Sequence, residues 1–301
     1  MSERPPVVDV RSLTTRRFRD PGEIARAYAA RRRRRPLIGP SGRLLIIAAD
    51  HPARGALRAG DRPLAMADRA DLLGRLLVAL RRPGVDGVLA TPDIVEDLLL
   101  LGALDDKVVF GSMNRGGLPT ATFEIDDRFT AYDAESIARA GLDGGKVLLR
   151  IDLSDPASAD TLEGCGQAVS ELASRGLIAM VEPFMARRVD GVLRNDLATD
   201  AVIRSAVVAS GLGTTSAYTW LKLPVVEEME RVAAATTLPI LLLGGEVSAN
   251  PTETYAAWAK ALALPTVRGL VVGRSLLYPP DDDVAAAVDT AVSLLPVEDE
   301  Q

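Results

Sequence analysis

The sequence predicts a closed (β/α)8 barrel with an N-terminal helical extension. Three observations carry that expectation. From Leu44 onward, eight short β-like runs, most of them apolar, alternate with helical patterns. The first and eighth runs begin 225 residues apart, at Leu44 and Gly269, which gives about 32 residues per unit, the size of a βα repeat. The first run ends in Ala49-Asp50-His51-Pro52, where an open doubly wound sheet would place a glycine-rich loop. Gly211-Leu212-Gly213 follows a helical pattern and lacks a third glycine, so it is not a dinucleotide fingerprint.

Residues 1–43 lie outside the repeat and form one unit; residues 44–301 form the barrel. A helix at about Pro21–Arg34 is expected to cover the barrel's lower end. The run Arg31-Arg32-Arg33-Arg34-Arg35 reads as a solvated helix face rather than a nucleic-acid patch. Arginine supplies 31 of the 35 basic residues, so arginine runs are ordinary in this chain. The barrel strands are expected at Leu44–Ala49, Gly87–Ala90, Val108–Gly111, Val147–Ile151, Ile178–Glu182, Ala217–Lys222, Ile240–Leu243 and Gly269–Val272. Most are apolar throughout, as strands covered on both faces should be. Between them, Thr91-Pro92 opens a helix with Ile94, Leu98 and Leu101 on one face. Leu162, Cys165, Val169 and Leu172 repeat at helical spacing. Asn250-Pro251-Thr252-Glu253 opens a helix carrying Tyr255, Trp258 and Leu262, and Val225, Met229 and Val232 form another stripe.

Composition excludes several function classes. The 301 residues are 48% apolar and 25% charged, as in a globular protein with a sizeable core. Net charge is -6, against nucleic acid as main partner. One cysteine and one histidine exclude an internal disulfide and a His- or Cys-rich metal centre. No apolar run reaches ~18 residues, and the N-terminus lacks a signal-peptide pattern. A cytoplasmic homo-oligomer without metal or cofactor, acting away from membranes and nucleic acid, is the expectation.

In this fold the chemistry sits where strands end and loops begin. Those positions hold Asp50, Asn114-Arg115-Gly116-Gly117, Arg150-Ile151-Asp152, Glu182-Pro183, Lys222, Gly244-Gly245-Glu246 and Gly273-Arg274-Ser275. Alternation puts Tyr218, Trp220 and Lys222 on one strand face, inside the barrel. A lysine in a desolvated site has a lowered pKa, and its neutral amine can attack a carbonyl. Asp50 and Glu182 suit proton transfer. Each is also a candidate charge partner for Arg150 or Arg115. His51 is open between substrate contact and support of Asp50. Gly244, Gly245, Gly273 and Arg274 suit a phosphate cradle, with Arg274 as a bidentate donor beside open backbone N–H groups.

Ala49-Asp50-His51-Pro52, Val181-Glu182-Pro183, Trp220-Leu221-Lys222, Leu243-Gly244-Gly245 and Val272-Gly273-Arg274 together resemble the class I aldolases. That superfamily holds the deoxyribose-phosphate, tagatose-bisphosphate and archaeal-type fructose-bisphosphate aldolases. The resemblance spans about residues 44–275. It implies a Schiff-base lysine at Lys222, acid/base carboxylates at Asp50 and Glu182, and phosphate binding at Gly245 and Gly273-Arg274. Many members have a second active-site lysine. Here strand four offers Arg150 in its place, for a carboxylate or phosphate, because Lys107, Lys146 and Lys260 fall at strand starts or on a polar helix face. Some members use a tyrosine acid, for which Tyr218 and Tyr132 are candidates. The chain is also similar to aldolase-like proteins of inositol breakdown, which implies 2-deoxy-5-keto-gluconate 6-phosphate as a substrate. The implied activity is cleavage or formation of a phosphorylated sugar or keto-sugar acid. The rivals are an isomerase, a Mg²⁺-dependent lyase using Asp50, Glu182 and Asp152, and a non-catalytic sugar-phosphate sensor.

Overall fold

The computed structural model describes residues 5–295. Helices α1 (Val10–Arg19) and α2 (Gly22–Ala30) come first. The barrel then runs β1 (Leu44–Ala48), a 3-10 turn (Pro52–Arg54), α3 (Arg69–Arg81), β2 (Gly87–Ala90), α4 (Pro92–Leu100), β3 (Val108–Ser112), α5 (Ala134–Arg139), β4 (Gly144–Ile151) and α6 (Ala157–Ser174). It continues through β5 (Ile178–Val189), β6 (Val192–Asn195), α7 (Thr199–Ser210), β7 (Thr219–Leu223), α8 (Met229–Ala234), β8 (Ile240–Leu243), α9 (Pro251–Leu262), β9 (Val267–Val272), α10 (Arg274–Leu277) and α11 (Val284–Ser293). The sheet order is β4-β3-β2-β1-β9-β8-β7-β5, and β4 pairs with β5 to close it. All eight pairings are parallel, so this is a closed (β/α)8 barrel. Among the described residues no helix is long and apolar enough to cross a membrane.

Alternation along the strands builds two apolar layers. Ile46, Leu89, Phe110, Met180, Trp220 and Leu241 fill the barrel's interior, with the Phe110 and Trp220 rings 5.9 Å apart. Ile47, Val88, Val109, Val181, Leu221 and Leu242 face outward and pack under the helices. The interior fill supports a polar layer at the strands' C-terminal ends and keeps water from reaching it from below.

Three expectations on element bounds are corrected. Strand four begins at Gly144, not Val147. Gly144 and Gly145 lie within the strand: a Cβ at Gly144 would strike Phe110 and the Ile178 backbone. Strand five runs past Glu182 to Val189 and folds back as an antiparallel hairpin with β6. Its turn, Asp190-Gly191, has both φ angles positive, at 51° and 78°, as a two-residue hairpin turn requires.

The third correction concerns the arginine run. The helix ends at Ala30, and Arg31–Arg35 is not helical. The run is a strap across the strands' N-terminal ends. Arg31 is buried and donates to the Lys107 and Gly141 carbonyls at 3.1 and 2.7 Å. Arg32 pairs with Asp106, Arg34 with Asp86, and Arg35 with Asp143. Leu37 then packs against the interior apolar layer.

Gly269 shows how tightly the barrel closes. Its φ is 142°, and a Cβ there would collide with the Leu44 carbonyl across the β1–β9 seam. Gly269→Ala combines backbone strain with a clash at that seam. It should cost at least ~3 kcal/mol, read as a lowered denaturation midpoint in chemical unfolding.

Candidate active site

Four ionisable side chains meet in the polar layer at the barrel's C-terminal mouth. Asp50 follows β1, Lys146 lies on β4, Glu182 on β5 and Lys222 on β7; all four are buried. Each strand presents its charge inward by the same two-residue alternation that turns Ile46, Met180 and Trp220 inward below. Lys146 Nζ donates to Asp50 Oδ2 at 3.2 Å and pairs closely with Glu182 Oε2. Lys222 Nζ donates to Glu182 Oε1 at 2.7 Å. Asp50 Oδ2 also accepts from Ser112 Oγ at 3.0 Å and pairs with Arg115 Nη1 at 3.1 Å. Negative and positive groups therefore alternate along one chain, Asp50–Lys146–Glu182–Lys222.

The electrostatics follow from that alternation. Burial alone would raise both carboxyl pKa values. Lys146 and Arg115 nevertheless hold Asp50 well below the usual carboxylate range, and Lys146 and Lys222 do the same for Glu182. Burial and then the nearby Arg115 push the Lys146 ammonium down to about 8, against the pull of Asp50 and Glu182. His51 lies with Nδ1 3.8 Å from Asp50 Oδ1. Burial, and then the Arg274 charge, lower its pKa to about 3, so it is neutral at physiological pH.

These groups line a cavity of about 660 Å³ in the barrel mouth. On its β8–β9 side lie Gly244, Gly245, Gly273 and Arg274. Gly245 has a φ of 67°, and a Cβ there would meet nothing within 4 Å, so its backbone is open to a ligand. Arg274 Nη1 pairs with Glu246 at 2.8 Å, while Arg274 Nε, Ser275 Oγ and His51 Nδ1 are buried without a hydrogen-bond partner. Unpartnered buried donors beside open backbone suit an anion.

The structure brings Lys222, Glu182 and Asp50 together and places Gly244, Gly245, Gly273 and Arg274 along one side of them. Arg150 lines the same cavity, but its guanidinium is engaged: Nε donates to Asp127 Oδ2 at 2.9 Å and Nη1 to Glu124 Oε1 at 3.1 Å. Its role here is to hold the loop after β3.

Two corrections concern residues rather than bounds. Strand four supplies a second lysine after all, because Lys146 sits inside the barrel and not at a strand start. The signal was the two-residue spacing of Lys146, Leu148 and Arg150, which puts all three on one face. The tyrosine candidates fail on position. Tyr132 lies in the outer layer, with its hydroxyl 2.8 Å from that of Tyr28, and Tyr218 precedes β7 and is partly exposed. Neither lines the cavity.

Sequence reasoning also missed Arg54, Ser112, and the hairpin's Leu193, Arg194 and Asn195. Asp190-Gly191 between apolar residues was the available signal for the hairpin. Among the described residues no three His, Cys, Asp or Glu side chains are grouped to hold a metal ion. Asp152, the third carboxylate of the lyase alternative, accepts from Ser154 N and Oγ at 3.0 and 2.7 Å instead.

A family model described as Cgl0159-like matches residues 42–292. The crystal structure of Cgl0159 from Corynebacterium glutamicum (Brevibacterium flavum) is 56% identical, covers 97% of this chain and 98% of its own, and superposes with a TM-score of 0.94. An archaeal fructose-1,6-bisphosphate aldolase, with its catalytic lysine covalently bound to the carbinolamine intermediate, is 17% identical, covers 90% and 99%, and has a TM-score of 0.67. A fructose-bisphosphate aldolase from Slackia heliotrinireducens is 16% identical over 94% and 93%, with a TM-score of 0.61. At these identities the two aldolases show likeness of fold alone. No curated protein matches the chain.

Removing one partner of a buried ion pair leaves the other uncompensated. Glu182→Gln deprives both Lys146 and Lys222 of a carboxylate. It should lower stability by about 3–5 kcal/mol in chemical denaturation, with a native circular dichroism spectrum below the transition.

Proposed function

The chain belongs to the Cgl0159-like family, and we propose that it is a class I aldolase, a carbon–carbon lyase that works through a lysine Schiff base. The observation that carries this reading is buried Glu182 bridging Lys146 and Lys222 at the barrel mouth, with Asp50 on the far side of Lys146. The fold likeness to Schiff-base-forming fructose-1,6-bisphosphate aldolases supports it. The substrate class is a phosphorylated sugar or keto-sugar acid, its phosphate held by Gly245, Gly273 and Arg274.

The chemistry follows from the geometry. A lysine attacks a carbonyl only as the neutral amine. Lys146 releases its proton at about pH 8. Glu182 touches both ammonium groups and can then pass the Lys222 proton to Lys146. Neutral Lys222 adds to the carbonyl carbon and gives a carbinolamine. The relayed proton returns through Glu182 to the carbinolamine hydroxyl, water leaves, and the iminium forms. A carboxylate, Asp50 or Glu182, then takes the proton of the hydroxyl on the carbon beyond the scissile bond. That bond breaks, its electrons pass into the iminium as an enamine, and an aldehyde departs. Protonation of the enamine carbon and hydrolysis of the resulting iminium free Lys222. Lys222 is the nucleophile because Glu182 is its single carboxylate partner, whereas Lys146 is held between two.

Borohydride trapping with a panel of sugar phosphates tests this, read by intact mass and peptide mapping. The reduced adduct should map to Lys222. Lys222→Met should lose both adduct and turnover while staying folded. Lys146→Met should keep a trappable adduct but slow turnover by about 10²–10⁴-fold, the usual share of a positioned proton-transfer group. An adduct on Lys146 in the wild type would refute the assignment.

The pH dependence has a definite sign. The amine must be neutral, and the Lys146 pKa is lowered rather than raised. Adduct formation should therefore rise with pH through about 8 and flatten above it. Initial trapping rates between pH 6 and 10 measure this, and a rate that falls across that range would contradict the relay.

A further inference from the structure

We propose that the β3–β4 side of the cavity is a second anion subsite, in which Arg54 and Arg115 hold the carboxylate end of a substrate whose phosphate lies at Arg274. This rests on reading the cavity as the substrate site, and it is independent of which lysine is the nucleophile.

The topology sets the span. Around the closed sheet, β3 and β4 lie four strands from β8 and β9, directly across the barrel. Glu182 on β5 and Lys222 on β7 lie between the two sides, with Lys146 at the edge of the first, on β4. A ligand anchored at Arg274 and reacting at the lysines therefore points its other end at the loop after β3.

Two arginines wait there. Arg115 is buried, its Nη1 pairs with Asp50, and its Nη2 is buried with no hydrogen-bond partner. A buried guanidinium donor left unmade is costly, and a ligand oxygen would satisfy it. Arg54 comes from the 3-10 turn after β1, and its Nε donates to the Gly117 carbonyl at 3.1 Å. That contact carries it across the mouth towards β3. Among the described residues no carboxylate lies within ion-pairing distance of Arg54. Burial and the neighbouring Arg150 charge lower its pKa to about 10, so an arriving anion would relieve that strain.

Shape favours a carboxylate over a second phosphate. Arg150 is already held by Glu124 and Asp127, and Arg115 Nη1 by Asp50, so a ligand here meets Arg54 and the unpartnered Nη2 of Arg115. The backbone here is also closed. A Cβ at Gly117 would strike the Glu124 carbonyl and the Arg150 guanidinium, and one at Gly116 would strike the Arg128 backbone. Gly116 and Gly117 thus form no open N–H cradle like that at Gly245, and binding by the loop after β3 falls to guanidinium forks, which match a planar carboxylate. The ligand class is a sugar acid phosphorylated at the opposite end.

Calorimetric binding to the full chain tests the subsite with ligands that have no carbonyl and so form no imine. 6-Phosphogluconate and sorbitol 6-phosphate differ only in carrying a carboxylate or an alcohol at the far end. 6-Phosphogluconate should bind about tenfold more tightly. Arg54→Gln should bring the two within about twofold of each other and leave the affinity for inorganic phosphate unchanged, with thermal unfolding confirming a folded protein. If that variant does not fold, Arg54→Lys keeps the charge, removes the fork, and should still narrow the difference. Equal wild-type affinities, or an equal loss for both ligands in the variants, would overturn the subsite. Tighter binding of sorbitol 1,6-bisphosphate than of 6-phosphogluconate would overturn the carboxylate. Failure of the Schiff-base reading would appear instead as no trapped adduct with carbonyl ligands, and would leave these affinities as they are.

Discussion

One carboxylate shared by two ammonium groups governs the barrel mouth. Glu182 accepts from Lys222 at 2.7 Å through one oxygen and pairs with Lys146 through the other. Taking such ions out of water costs several kcal/mol each, and only close, fully hydrogen-bonded pairing offsets that. The pairing draws on strands far apart in sequence: β1, β4, β5 and β7 each supply one charge. None can shift without exposing an ion to an apolar wall. The register of the closed sheet is therefore fixed from inside by electrostatics as well as from outside by helix packing.

That constraint explains features remote from the mouth. A wet barrel would screen the pairs and leave the lysines strongly solvated. The Phe110, Met180 and Trp220 layer excludes water from below, and Leu37 caps that layer. The arginine strap keeps Leu37 in place by pairing with Asp86, Asp106 and Asp143 at the foot of β2, β3 and β4. Several of those pairs are exposed and individually weak. Buried Arg31, which satisfies two carbonyls, contributes more than the charge count implies.

The strands were legible because they are covered on both faces and most of them read as apolar runs. The strand-end residues were legible for the converse reason, since a polar residue closing such a run has few places to go but the mouth. Lys146 was not legible as a site residue. Gly144-Gly145 ahead of it carries the usual turn signal, and only the crowding of Phe110, Ile178 and Met113 explains glycine inside that strand. Arg150 was legible as inward-facing, but its partners were not. Glu124 and Asp127 lie on the loop between β3 and α5, whose path depends on tertiary contacts. Asn114 sets that path: its side chain pairs with both the N–H and the carbonyl of Leu148 at 2.7 and 2.6 Å, in place of a strand ladder. Local pattern cannot show a side chain standing in for a backbone.

The two cations of β4 divide the work by depth. Lys146 lies in the quartet layer, where both neighbouring charges are carboxylates that also bear on the reacting centre. Arg150 lies four residues further along the same face, and Glu124 and Asp127 meet it there. Its binding capacity goes to the loop that carries Arg115, and its charge raises the potential felt by Arg54. An arginine suits that post because it keeps its charge when buried and offers five donors to two carboxylates and two carbonyls. A lysine there would offer three donors and a pKa open to large shifts. Conversely, an arginine at 146 would keep its proton and could not take part in a relay. The order Lys146 then Arg150 along one strand thus separates proton transfer, deep in the barrel, from the shaping of the wall that meets the ligand.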